Sequence, residues 1–237
     1  MVLKLSLAGY VFEIHTDYEY LKKLGANYIT DDDADFIIKC TDEELETERL
    51  LALEDQNTAD EMIESLAIFR KVCEVLADKD GFMMHSAVIE YEGNAIAFLA
   101  QSGVGKSTHI TNWKKAFNDK VKIINGDKPI IIKKDGEFFA CGMPWAGKEC
   151  WERNVIVPLK AICFLARGEI NSCVASSLES ASFKLMHQIH VPPTEESATR
   201  VLDNLDEMLK KVKIFDLKCN QDVESAIVAK QAILGDI

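Results

Sequence analysis

Residues 100–107 read AQSGVGKS. Two glycines two residues apart, then a lysine and a hydroxyl residue, make a spacing suited to phosphate. Glycines at 103 and 105 let successive backbone N–H groups converge on one point. Lys106 would reach the outer phosphates, and the Ser107 hydroxyl would ligate Mg²⁺. A helix starting there adds its positive end. The pattern is that of a P-loop with Ala100 in place of the leading glycine. It predicts ATP and Mg²⁺ held by Ser102, Gly103, Val104, Gly105, Lys106, Ser107 and Thr108.

A phosphate-bound metal needs a second carboxylate. Asp127 stands 21 residues after Lys106, at the end of the strand-like run VKIING. It is the candidate partner of Ser107 at the metal. A second unusual stretch is CGMPWAGKECWERN, residues 141–154. Lys148 or Arg153 would neutralise charge on a transferred phosphoryl group. Glu149 is a candidate base or metal ligand there.

The elements around these residues follow from apolar periodicity. LKLSLAGYVFEI suits two short strands around Ala8-Gly9, and DFIIKC a third. Residues 60–81 place Met62, Leu66, Phe69, Cys73 and Leu76 at helical spacing, with a stop near Asp80-Gly81. HSAVIEYEGNAIAFLA reads as a hairpin turning at Glu92-Gly93-Asn94, and its second strand runs into the glycine loop. A helix follows with Ile110, Trp113 and Phe117 on one face. PIIIKKDGEFFACG is another hairpin, turned by Asp135-Gly136. LKAICFLA has the character of a buried strand. Residues 167–237 read as mostly helical, with a last strand at KIFDL. Thr194 is the expected cap of one helix and Asn220 of the last. The chain divides into a small α+β region, 1–80, and a nucleotide-binding region, 81–237. The expected class is α/β with a mixed, largely antiparallel sheet and a helical C-terminal part.

Composition narrows the partners. The chain has 237 residues, 48% hydrophobic and 28% charged, with net charge −12. A basic face is what a nucleic-acid binder needs, and no basic run occurs. An anionic membrane surface is disfavoured for the same reason. No stretch approaches the ~18 apolar residues of a membrane span. Seven cysteines, an odd number without a C-x-x-C pair, suit a reducing cytoplasm better than a disulfide framework or a zinc ribbon. His187 and His190 stand three apart without an evident third ligand and read as solvated or capping histidines. His109 faces either nucleotide or solvent on sequence grounds.

HSAVIEYEGNAIAFLAQSGVGKST resembles the kinase core of HPr kinase/phosphorylase, and phosphoenolpyruvate carboxykinase at the level of fold. More widely, the chain resembles HPr-kinase-like proteins of anaerobic bacteria. The likeness rests on Gly105 to Trp113, Asn125 to Pro129, Gly142 to Glu149 and Pro158 to Ile162. It implies a phosphotransferase moving the γ-phosphoryl group of ATP to a hydroxyl, a serine above all, of a protein, peptide or small molecule. It implies Asp127 as metal ligand or base, His85 near the transferred proton, and self-association. Two features depart from the family. Gly126 replaces the first of its paired aspartates, and the long glycine-rich signature of true HPr kinases is not visible. The missing aspartate motivates the alternative: a nucleotide-dependent binding or scaffold protein of a peptide-modification system, with weak or no catalysis. A hydrolase driving motion has no second nucleotide motif behind it.

Overall fold

The computed structural model describes residues 1–52, 58–101 and 103–235. The chain opens with β1 (Val2–Leu7) and β2 (Tyr10–His15), an antiparallel hairpin turned by Ala8 and Gly9 at φ 52° and 89°. After α1 (Tyr20–Leu24), β3 (Phe36–Lys39) joins β2 in parallel and completes a three-stranded sheet. Thr41 starts α2 (Asp42–Leu51). Its hydroxyl accepts from Glu44 N, and the Glu44 carboxylate accepts from Thr41 N at 2.7 Å. That reciprocal pair satisfies two donors the helix end would otherwise leave open.

Next comes α3 (Asp60–Ala77), which buries Ile63, Ala67, Ile68, Phe69, Val72, Cys73 and Leu76. Met62, expected on that face, is 42% exposed. The stripe is centred one residue further along, because Ile63 and Ile68 lead it.

The main sheet contains β4 (Gly81–Met83), β5 (Ala87–Tyr91) and β6 (Asn94–Leu99), followed by α4 (Lys106–Phe117) and β7 (Val121–Asn125). It continues with β8 (Ile130–Lys134), β9 (Glu137–Cys141) and β10 (Ile156–Arg167). The chain ends with β11 (Ser172–Ala175), α5 (Leu178–Met186), α6 (Glu195–Lys211), β12 (Lys213–Cys219) and α7 (Glu224–Leu234). The strand order is β4-β8-β9-β10-β6-β5-β7, with β12 also on β10 and β11 on β12.

The long strand β10 joins the two halves. Ile156–Pro158 pair antiparallel with β9, while Ala161–Arg167 pair parallel with β12. On its other side β10 runs parallel to β6. The sheet is therefore antiparallel at its flanks and parallel at its centre. In the C-terminal part the strand expected at KIFDL is β12, directly beside the central strand, and β11 is added to the expected elements. Three carboxyl ends thus meet at one edge, those of β6, β10 and β12.

Alternation along β6 fixes the layers. Ala95, Ala97 and Leu99 face a core with Leu185 of α5 and Val201, Leu205 and Met208 of α6. Ile96 and Phe98 face the opposite core with Trp113 of α4 and Ala226, Ala229 and Ile233 of α7. A third core joins α3 and the N-terminal sheet to Ile130 and Ile132 of β8. Residues on both sides of position 80 share it. Thr194 caps α6, accepting from Ser197 N. Asn220 does not cap α7: Val223 holds that place, and Asn220 Oδ1 instead accepts from Asp222 N. No described helix is long and apolar enough to cross a membrane.

Candidate functional site

β6 leaves the core at Leu99 and delivers the glycine loop to the start of α4. Gly103 (φ 78°) and Gly105 (φ 124°) lie in the left-handed region, which glycine enters without a Cβ clash. Gly105 is the N-cap of α4, and no side chain caps it. The first-turn N–H groups of this helix therefore face the cleft without a side-chain acceptor from the cap. The Arg167 guanidinium, at the end of β10, clasps the loop by donating to Gly103 O at 2.6 Å and Val104 O at 3.5 Å.

Lys106 folds back and donates to Ala100 O at 3.1 Å. Among the described residues it makes no ion pair. Half-burial lowers its pKa, against the raising influence of Asp127 and Glu149. Ser107 Oγ donates to Glu149 Oε1 at 2.6 Å.

The opposite wall hangs on Asn125, which is fully buried. Its Oδ1 accepts from Asp127 N and Lys128 N, both at 2.8 Å, and its Nδ2 donates to Met143 O at 2.8 Å. One amide thus sets both the Gly126–Lys128 turn and the start of the 142–149 segment. Ser86 N donates to Asp127 O at 3.1 Å and ties in the strand beside His85. Asp127 spends both carboxylate oxygens on protein groups: Oδ1 lies 3.0 Å from His85 Nε2, and Oδ2 lies 2.7 Å from Lys128 Nζ. The His85 hydrogen bond, helped by Lys128, holds its pKa well below the usual carboxylate range despite burial.

These groups enclose a cleft of about 460 Å³, with His85, Lys106, Ser107, Asp127, Lys148 and Glu149 around it. Gly103, Gly105 and Thr108 complete its loop side. Other expected site residues lie elsewhere. Arg153 turns to Glu90, donating at 2.9 Å, and is absent from the cleft wall. Val104 lines a neighbouring cleft instead. Ser102 lies outside the described residues. His109 is 2% exposed, between Trp113 and Ser225, and borders the same neighbouring cleft as Val104 rather than open solvent. Trp145 plugs the core, its indole N–H donating to Ser65 Oγ at 2.9 Å and its ring 4.7 Å from Phe69.

Three contributors carried no assigned role in the sequence reading: Asn125, Lys128 and Arg167. The Asn-Gly-Asp order after a strand is a turn signal that pointed to the first. Arg167 stands where a strand ends beside the loop strand, a place that favours ligands in α/β sheets. Among the described residues no group of three or more His, Cys, Asp and Glu could hold a metal ion.

A family model described as SynChlorMet cassette protein ScmC matches residues 51–224. No curated protein matches the chain. Among solved structures, the HPr(Ser) kinase/phosphatase from Coxiella burnetii is similar over 63% of this chain and 94% of that chain. The identity is 6% and the TM-score 0.37, too low to assign a fold. These findings correct the resemblance drawn from sequence. The chain is not placed among the HPr-kinase-like proteins, and the HPr kinase/phosphoenolpyruvate carboxykinase-like fold is not its assignment. The serine-kinase and phosphotransferase activity, with the description P-loop kinase, falls with them. That resemblance was carried by short separate segments between residues 82 and 162, whereas the family match is to residues 51–224 as a whole. The chain belongs to the family described as SynChlorMet cassette protein ScmC.

Proposed function

We propose that this chain is a nucleotide-dependent binding protein of a peptide-modification system, with weak or no catalysis. The glycine loop would hold the phosphates of a nucleotide such as ATP. The observation that carries this reading is Lys106: a half-buried cation without an ion-pair partner among the described residues, beside a glycine loop at a helix start. A buried charge is costly until it is paired, and a phosphate chain would pair it. Mg²⁺ would draw on Ser107 and Glu149 together with phosphate oxygens. Gly126 carries no carboxylate, and Asp127 is engaged by His85 and Lys128, which favours binding over turnover. The family's description is of a cassette protein, and the partner would be another product of such a cassette.

Equilibrium dialysis with labelled ATP and Mg²⁺ tests this directly. Wild type binds, and Lys106→Ala weakens binding by roughly tenfold or more, the scale of one lost charge-assisted contact. Phosphate release stays near background. Absence of ATP binding at millimolar concentration overturns the reading, and rapid turnover overturns its non-catalytic part.

A further inference from the structure

A second cleft adjoins the glycine loop, and none of His85, Asp127 or Glu149 lies in its wall. It holds about 290 Å³ and shares Gly103, Gly105 and Thr108 with the first cleft. One ligand can therefore reach from one to the other across the loop. Its far wall comes from the ends of β10, which neighbours β6, and of β12, which neighbours β10: Arg167 and Gly168 at the end of β10, Cys219 to Gln221 at the end of β12. The crevice outside the carboxyl ends of parallel strands is where open α/β sheets accept ligands.

The wall is tied together by hydrogen bonds, and its chemistry differs from that of the first cleft. Gly168 N donates to Cys219 O at 3.0 Å, which fixes the two segments against each other. The Asn220 amide is spent on Asp222 and Glu169. Arg167 is locked by two loop carbonyls yet exposed, so it presents a flat, delocalised cation at fixed orientation. Such a plane stacks well on a heteroaromatic ring. Among the described residues, the Gln221 amide and the Thr108 hydroxyl carry no side-chain hydrogen bond. The lining has one guanidinium, the buried His109 ring and no carboxylate, whereas the first cleft has two lysines, His85 and two carboxylates.

We infer that this cleft takes the nucleoside of the bound nucleotide. The base lies against Arg167, and the ribose lies within reach of Thr108 and Gln221. The inference rests on the nucleotide reading above and adds where the uncharged half of the ligand goes.

The test compares ATP and GTP with inorganic tripolyphosphate, each with Mg²⁺, by competition calorimetry on the full chain. A seated base makes ATP or GTP bind about tenfold or more tightly than tripolyphosphate, the scale of one stacked base. Arg167→Ala brings that ratio towards one; damage to the loop alone would weaken all three ligands together and leave the ratio unchanged. Photolabelling with 8-azido-ATP marks peptides containing 167–168 or 219–221. Equal affinities for nucleotide and tripolyphosphate in wild type, an unchanged ratio in Arg167→Ala, or label confined to other peptides overturns the nucleoside site while phosphate binding stands. Failure of all three ligands to bind overturns the nucleotide reading itself.

Discussion

His85 Nε2 lies 3.0 Å from Asp127 Oδ1, and the same nitrogen lies 3.3 Å from Lys106 Nζ. One nitrogen cannot donate to the carboxylate and accept from the ammonium at once. The depressed Asp127 pKa follows from donation to the carboxylate. Lys106 then lacks an acceptor on the imidazole, which leaves its charge directed at the cleft.

That arrangement has a pH signature. The folded chain protonates Asp127 less readily than the unfolded chain does, so falling pH favours unfolding. The contribution is complete above the ordinary carboxylate range, near pH ~4, and fades as pH falls through the lower folded value. Asp127→Asn should therefore melt lower than wild type at pH 7, with the gap closing below pH 4. Thermal melts from pH 7 to pH 3 measure it, and a gap that stays constant throughout would contradict the arrangement.

Gly126 is a glycine for steric reasons. A Cβ there would stand 2.8 Å from Ala146 O, a backbone atom. Its N–H donates to Trp151 O at 2.8 Å, so the position cannot swing away cheaply. Gly126→Asp, which would set two aspartates side by side, should destabilise by about 1–3 kcal/mol, as overpacked sites do. Urea midpoints give the value. A variant as stable as wild type and newly active in ATP turnover would show that this backbone yields.

The sequence revealed the devices that act locally. Glu92-Gly93 and Asp135-Gly136 turn their hairpins at positive φ, and such turns announce themselves in residue type. The glycine loop was legible for the same reason. What stayed hidden depends on partners distant in sequence. Arg153 pairs with Glu90, 63 residues away, so a cation assigned to a phosphoryl group from its place in the 141–154 segment is engaged elsewhere. The Asn125 amide serves carbonyls 18 and 20 residues downstream, which only the folded sheet brings within reach. β11 eluded reading because Ser172–Ala175 is short and mostly exposed, without an apolar run to mark it.

Glu149 places a carboxylate where phosphate would approach, through its 2.6 Å contact with Ser107. Two like charges about 4 Å apart in water repel by roughly 1 kcal/mol. Glu149→Gln should therefore tighten binding of metal-free ATP by about fivefold. With Mg²⁺ the gain should shrink or reverse, because the carboxylate then serves the cation. Titrations with and without EDTA separate the cases. Equal effects in both would remove Glu149 from the metal's surroundings.

His109 sets a second pH limit, deep in the seam between α4 and α7. Trp113 Nε1 donates to His109 Nε2 at 3.0 Å, so the ring proton sits on Nδ1, facing Ser225 Oγ at 3.4 Å. Burial pushes its pKa down from 6.5 to about 4. Between those values the unfolded chain takes a proton that the folded chain refuses, so stability falls as pH drops through this window. The loss attributable to this histidine reaches about 3 kcal/mol at pH 4. Glutamine can accept from Trp113 and donate to Ser225 without titrating. His109→Gln should lose some stability at pH 7 yet fall less steeply down to pH 4. Urea unfolding at pH 7, 5.5 and 4.5 compares the two slopes. Parallel slopes would mean that the imidazole takes up its proton in the folded seam.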